Sequence, residues 1–301
     1  VRRRRDGYGV RRTGAGMRKG IAAVAVLVAM TASAGCDDGS GADLVVTGTP
    51  PATPYSGPLK VPSKNLDEDS ARAVRLVAGA AGRALECDGE IYTGASDGSW
   101  SRDDGGATPE EGLQAYFDLE QAEDPHYGYR VEREERDRVL YSFDVHGRTK
   151  VAVVVAKDQK GRPGWGPESS ASCDPAELPA SFTDSKPYEI WTDRDGRRVA
   201  TTVVSSNDGP EHCGWQSAVF LYTGRGEGVR HYVRDPHGVL GRQLLTSAYD
   251  GHVRMPADAH DTGYRLNDRE LWFTGDRSKA YVRTSDGVEL WPATKESVGC
   301  K

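Results

Sequence analysis

Side chains able to do chemistry gather in one stretch, "HVRMPADAHDTGYRLNDRE", which contains His252, Asp258, His260 and Asp261. An imidazole flanked by carboxylates can ligate a divalent cation or be held in one tautomer for proton transfer. A solvated loop has the same composition. The cluster is therefore a candidate only if the fold turns His260 into a cleft beside a second polar group. His231 and His237 flank "YVRDP" on a strand pattern and its turn, a weaker signal. H-E-x-x-H, C-x-x-C and Walker patterns are missing, and no serine-hydrolase elbow is expected, which removes the strongest signatures of common enzyme classes. "GRGEG" (224–228) lies between two strand patterns with no helix after it, so it reads as a hairpin loop and not a phosphate loop. Catalytic residues, a metal and a cofactor are accordingly not expected.

The five cysteines are the other reactive class. Upstream of Cys36 the chain reads "MRKGIAAVAVLVAMTASAG": a basic head (Arg18, Lys19), an apolar run from Ile21 to Ala32, then small residues. That is the order of a secretory signal peptide, and about a dozen apolar residues fall short of the roughly 20 a membrane span needs. The opening valine reads as a literally translated GTG, with Met17 as the expected start. Arg11-Arg12 suggests twin-arginine export, but Thr13, Gly14 and Ala15 stand where that signal wants apolar residues.

Ser33, Ala34 and Gly35 run directly into Cys36, and the polar "DDGSG" follows. This arrangement resembles the lipobox of bacterial lipoproteins, with Ser33 in place of the preferred leucine. The resemblance implies cleavage before Cys36, diacylglycerol on its thiol, and an address on the outer face of the cell membrane.

Eight basic residues and one acidic residue precede Cys36, which leaves 31 basic against 44 acidic residues and a net charge of −13 in the mature part. Such a surface repels nucleic acid and anionic headgroups, so membrane attachment falls to the lipid. Outside the cell thiols oxidise, and Cys87, Cys173, Cys213 and Cys300 read as disulfides. Three pairings are open. Spacing favours Cys87–Cys173 with Cys213–Cys300, each inside one of two domains.

Those domains follow from the apolar pattern. Residues 36–64 are rich in Gly, Ser, Thr and Pro and read as a flexible tether reaching on the order of 30 Å. In 65–180, Ala71, Val74, Val77, Ala81 and Leu85 recur at helical spacing and predict an amphipathic helix ending at Cys87. "TPEE" predicts a second helix with Thr108 as N-cap, Pro109 at the first position and Glu111 closing a capping box. Val139 to Val145 and Val151 to Val155 then alternate about "HG", a hairpin with one buried face. "LPASFTDSKP" (178–187) reads as a boundary, and 187–301 as strands punctuated by Asp-Gly at 195–196, 250–251 and 286–287. The expected fold class is α+β: two disulfide-containing domains, helices on an antiparallel sheet and then a mostly antiparallel β meander or partly closed barrel.

Trp165, Trp191, Trp215, Trp272 and Trp291 suit a core better than an exposed sugar-stacking surface. "VLYSFDVHGRTKVAVVVA", "CDPAE", "CGWQSAVFL" and "DTGYRLNDRELW" resemble arginine-rich secreted lipoproteins of high-GC Gram-positive bacteria, a group that brings no activity to transfer. The expected function is a lipid-anchored, non-catalytic binding or scaffolding module whose partners are envelope polymers or secreted proteins. An envelope hydrolase using the His260 region is the alternative. A solute-binding lipoprotein comes third, because the alternating strand–helix pattern of a parallel sheet is missing.

Overall fold

A computed structural model describes residues 45–46, 53–61, 71–94, 101–225 and 228–295, all within one compact unit, Ala42–Lys301. The signal-peptide segment, Cys36 and Cys300 lie outside the described residues.

The first sheet contains β1 (Val45–Val46), β2 (Ile91–Gly94), β3 (Tyr127–Glu135), β4 (Arg138–Val145), β5 (Arg148–Gln159) and β6 (Arg162–Cys173) in the spatial order β1-β3-β4-β5-β6-β2. Strands β3 to β6 form an antiparallel meander, β2 joins β6 antiparallel, and β1 joins β3 in parallel. The β4–β5 turn is His146-Gly147, both with positive φ (53° and 74°), the geometry a two-residue hairpin loop requires.

Both faces of this sheet are covered, where the alternating pattern predicts only one. Val139, Tyr141, Val151, Val153 and Val155 pack with Leu113, Tyr116 and Phe117. Leu140, Ala152, Val154 and Ala171 on the other face pack with Leu59, Ala78, Ala81 and Leu85. In the middle of β5 the even positions Ala152, Val154 and Ala156 are small or aliphatic as well as the odd Val151, Val153 and Val155, so that stretch can be dry on both sides. Leu59 is 1% exposed, and the backbone N–H of Leu59 donates to Glu135 Oε1 at 3.1 Å, so part of the segment read as tether rests on the sheet.

The expected long helix is two short pieces, α1 (Ala71–Val77) and α2 (Gly79–Ala84). Gly79, the first residue of α2, has φ +57°, and a Cβ there would lie 3.1 Å from the carbonyl oxygen of Val61. A left-handed residue breaks the α-helical bond ladder, and glycine takes that conformation without steric cost. The last helical residue is Ala84, three before Cys87. The helix read from "TPEE" is α3 (Pro109–Glu120), with both halves of the capping box: Glu111 N–H donates to Thr108 Oγ1 at 3.2 Å, and Thr108 N–H donates to Glu111 Oε2 at 3.3 Å.

After α4 (Ala180–Thr183) come β7 (Tyr188–Ile190), β8 (Val204–Asp208), β9 (Val219–Thr223) and β10 (Arg230–Arg234), a second antiparallel sheet. Strands β11 (His260–Leu266), β12 (Arg269–Phe273), β13 (Lys279–Thr284) and β14 (Gly287–Pro292) make a third. The two meanders share one core, in which Trp191, Leu221 and Tyr232 meet Leu271, Phe273 and Trp291. Isolated bridges join them at both margins, Thr192 to Arg265 and Tyr232 to Ala293. Asp286-Gly287 closes the β13–β14 hairpin as expected, whereas Asp195-Gly196 and Asp250-Gly251 end in short turns with single bridges. Trp165, Trp191, Trp215 and Trp291 are buried; Trp272 is half-buried beneath the Arg283 guanidinium, 4.5 Å from its ring centre.

The α+β assignment is therefore corrected: the fold is β-rich, with three sheets and a few short helices among the described residues, the longest of them 12 residues. Valine-dense strands supply a continuous hydrogen-bonded frame, and the glycine break limits the first helical segment to pieces of 7 and 6 residues. Of the two expected disulfides, Cys87–Cys173 is present, with Cα atoms 5.3 Å apart, and Cys300, the expected partner of Cys213, lies outside the described residues. Cys213 is also oxidised. The bridge closes 86 residues of chain and ties the end of the α2 segment to β6, worth at most ~4.5 kcal/mol by loop-closure entropy.

Candidate functional site

His260 and Asp261, adjacent on β11, line a cleft of about 680 Å³ together with Thr223, Arg225, Tyr264 and Arg277. His260 is exposed and its backbone pairs with Phe273. Asp261 is saturated. Its Oδ1 accepts from Gly263 N–H at 2.8 Å and Arg265 at 2.9 Å, and its Oδ2 accepts from Arg265 at 2.7 Å and Arg194 at 2.9 Å. The Arg265 hydrogen bonds hold its carboxyl well below the usual carboxylate range. A carboxylate clamped by two guanidinium groups has no lone pair left to orient an imidazole.

His252 and Asp258 sit exposed in the loop before β11, and His252 N–H closes a local turn on Asp250 at 2.9 Å. Outside the cluster, burial raises the Tyr281 phenol and the charge of Asp258 adds to that rise. The fold thus brings His260 and Asp261 to one cleft and leaves His252 and Asp258 outside its lining. Among the described residues no three His, Cys, Asp or Glu side chains are grouped to hold a metal ion. His231 packs edge-on against Tyr222 with ring centres 4.8 Å apart.

A second cleft, about 360 Å³, lies between the β2–β6 edge of the first sheet and the start of the second. Asp124, in the α3–β3 loop, and Lys186, between α4 and β7, meet there at 2.5 Å with side-chain exposures of 5% and 9%. Both are too buried for water to compensate either charge alone, so each is the other's counter-ion. Burial pushes the Asp124 carboxyl up, and the Lys186 hydrogen bond and charge act against that rise.

Tyr116 of α3 forms part of the wall. Its phenol is pushed well above the ordinary value by burial and then by Asp124 and Glu120, with Ser170 as hydrogen-bond partner. Tyr188 opposite is pushed up to about 12, chiefly by burial. At the mouth Tyr92 and Thr201 share a hydrogen bond of 2.9 Å, and Leu178 and Phe182 supply an apolar floor. The lining is hydroxyl-rich, and its two charges cancel. Such a surface offers donors and acceptors to a neutral polar ligand and no nucleophile with a free base beside it.

The sequence does not mark Asp124 or Lys186. The two lie 62 residues apart in loops without a motif, and only their joint burial marks them. The expectation of no serine-hydrolase elbow also needs correction, because "GASDG" (94–98) carries the G-x-S-x-G spacing directly after β2. β2 is an antiparallel edge strand, unlike the strand that feeds a helix in that motif, and Ser96 lies outside the described residues. No family model matches the chain, and no curated protein or solved structure does either.

Proposed function

We propose that the chain is a lipid-anchored protein of the outer membrane face that binds its ligand without transforming it, and that the Asp124–Lys186 cleft is the ligand site. The observation that carries this reading is an electrically balanced, hydroxyl-lined cleft of about 360 Å³, large enough for a few sugar units or a short peptide. The lipobox-like Ser33–Cys36 sequence supports the address. A neutral, hydroxyl-bearing ligand such as a glycan fits best, because a charged one would face the Asp124–Lys186 pair with a mismatch on one side, whereas the Ser170 hydroxyl and the Gln121 amide are groups that both donate and accept. The partner is then an envelope polymer.

The test is calorimetric titration of the purified chain with neutral cell-wall oligosaccharides and, in parallel, with short unblocked peptides. Saturable binding of the oligosaccharide that weakens about tenfold in Ser170→Val supports the reading. Binding of neither series, or binding untouched by Ser170→Val and Thr201→Val, overturns it.

A further inference from the structure

The larger cleft, beside β11, has an electrostatic character opposite to that of the first. Its lining carries one carboxylate, Asp261, whose two oxygens are already taken by Arg265, Arg194 and Gly263 N–H. Arg225 at the rim pairs with Glu90. Arg277 differs from both: among the described residues no carboxylate stands within ion-pair distance of it. Its guanidinium lies over the Phe273 ring, 4.6 Å from the centre, and donates through Nη2 to the Thr223 hydroxyl at 3.0 Å. Its Nε is buried and has no hydrogen-bond partner among the described residues.

The backbone holds this arginine in place. Arg277 has φ +51°, a left-handed conformation uncommon for a residue with a side chain. Its N–H donates to Thr274 O at 3.0 Å, and its own carbonyl accepts from the buried Tyr232 hydroxyl at 2.8 Å. A cation that is stacked, positioned and left without a counter-charge is pre-organised for an oxyanion, since little side-chain freedom has to be lost on binding. Thr202 and Tyr264 also line the cleft, as does Thr262, whose hydroxyl donates to Leu271 O at 2.7 Å, and the space is several times larger than an inorganic anion. The acidic surface elsewhere opposes this weakly, because charges more than about 8 Å away are largely screened at physiological salt.

We infer that this cleft is a second binding site, separate from the Asp124–Lys186 cleft, for an oxyanion carried on a hydroxylated ligand such as a polyol phosphate or a uronate, with Arg277 as the anion clamp. The assignment is independent of the lipid anchor and of the neutral-ligand reading.

Calorimetry of the purified chain with glycerol 3-phosphate and with glucuronate tests it, with inorganic phosphate as the anion alone. Expected is saturable binding of at least one hydroxylated anion, tighter than phosphate, weakened about tenfold or more by Arg277→Gln and unchanged by Arg283→Gln. Arg283 is the control because it also stacks on an aromatic ring but is paired with Glu270. Should Arg277→Gln fail to fold, protection serves on the unaltered chain: the bound anion should slow phenylglyoxal modification of Arg277 as read by mass spectrometry. No saturable binding, equal affinity in Arg277→Gln, or unprotected Arg277 would overturn the site. Equal affinity for phosphate alone would overturn the role of the hydroxyls.

Discussion

Asp174 takes three hydrogen bonds from a single residue, Thr201: the Thr201 N–H reaches both carboxylate oxygens at 3.1 and 3.0 Å, and the Thr201 hydroxyl reaches Oδ2 at 2.9 Å. Asp174 is 1% exposed and directly follows the bridged Cys173, so this contact fastens the first sheet to the approach of β8. Ala176 N–H adds a further donor at 2.8 Å. Replacing the carboxylate with a methyl group would leave several donors without an acceptor in a dry junction. Asp174→Ala should therefore lower stability by about 2–3 kcal/mol, and Asp174→Asn by less. Equilibrium denaturation reads the loss. Hydrogen exchange should show faster opening around Thr201 before that of the β4–β5 core.

The Asp124–Lys186 pair makes a different prediction, because removal of one partner strands the other. Lys186→Met should cost about 3–5 kcal/mol, and the double variant Asp124→Leu with Lys186→Met should recover much of that loss. A double-mutant cycle in which the single losses simply add would reject the pairing. The pH dependence has a definite sign. Burial raises the folded-state pKa of Asp124 above the ordinary carboxylate range, so between the unfolded and folded values the native state holds the proton more tightly. The contribution of this group to stability is fullest below the unfolded value and is lost as pH rises through the folded one. Denaturation midpoints measured through the acid range should show that decline in the native chain and its disappearance in the double variant.

The cysteines should divide by chemistry. Cys36→Ala should abolish incorporation of a labelled fatty acid and leave the chain unprocessed or shed, whereas label that persists in this variant would reject lipid attachment at Cys36. Non-reducing peptide mapping should recover the Cys87–Cys173 fragment and a second one joining Cys213 to Cys300. A fragment joining Cys36 to Cys213 would overturn the lipidated-cysteine reading together with that pairing.

What could be read along the chain was local. The α3 N-terminus was legible because a capping box is complete within four residues, Thr108 to Glu111, and needs no tertiary partner. The β4–β5 hairpin was legible because His146-Gly147 sits between two alternating runs that pair without an intervening segment. Position in sequence also suggested the Cys87–Cys173 bridge, since few pairings were open.

Tertiary structure decided the rest. Helical spacing from Ala71 to Leu85 could not show that Val61 approaches Gly79 and splits the helix, and that break helped turn an expected α+β layer into a β-rich fold. The composition around His260 was visible, but capture of Asp261 by Arg194, 67 residues away, was not. Nor was the meeting of Asp124 with Lys186, or the lack, among the described residues, of a carboxylate beside Arg277. Periodicity and capping report interactions within a few residues, where chain geometry dictates the neighbour. The electrostatic state of a buried group depends on which distant charge the fold delivers within 4 Å of it, and one-dimensional spacing does not encode that distance.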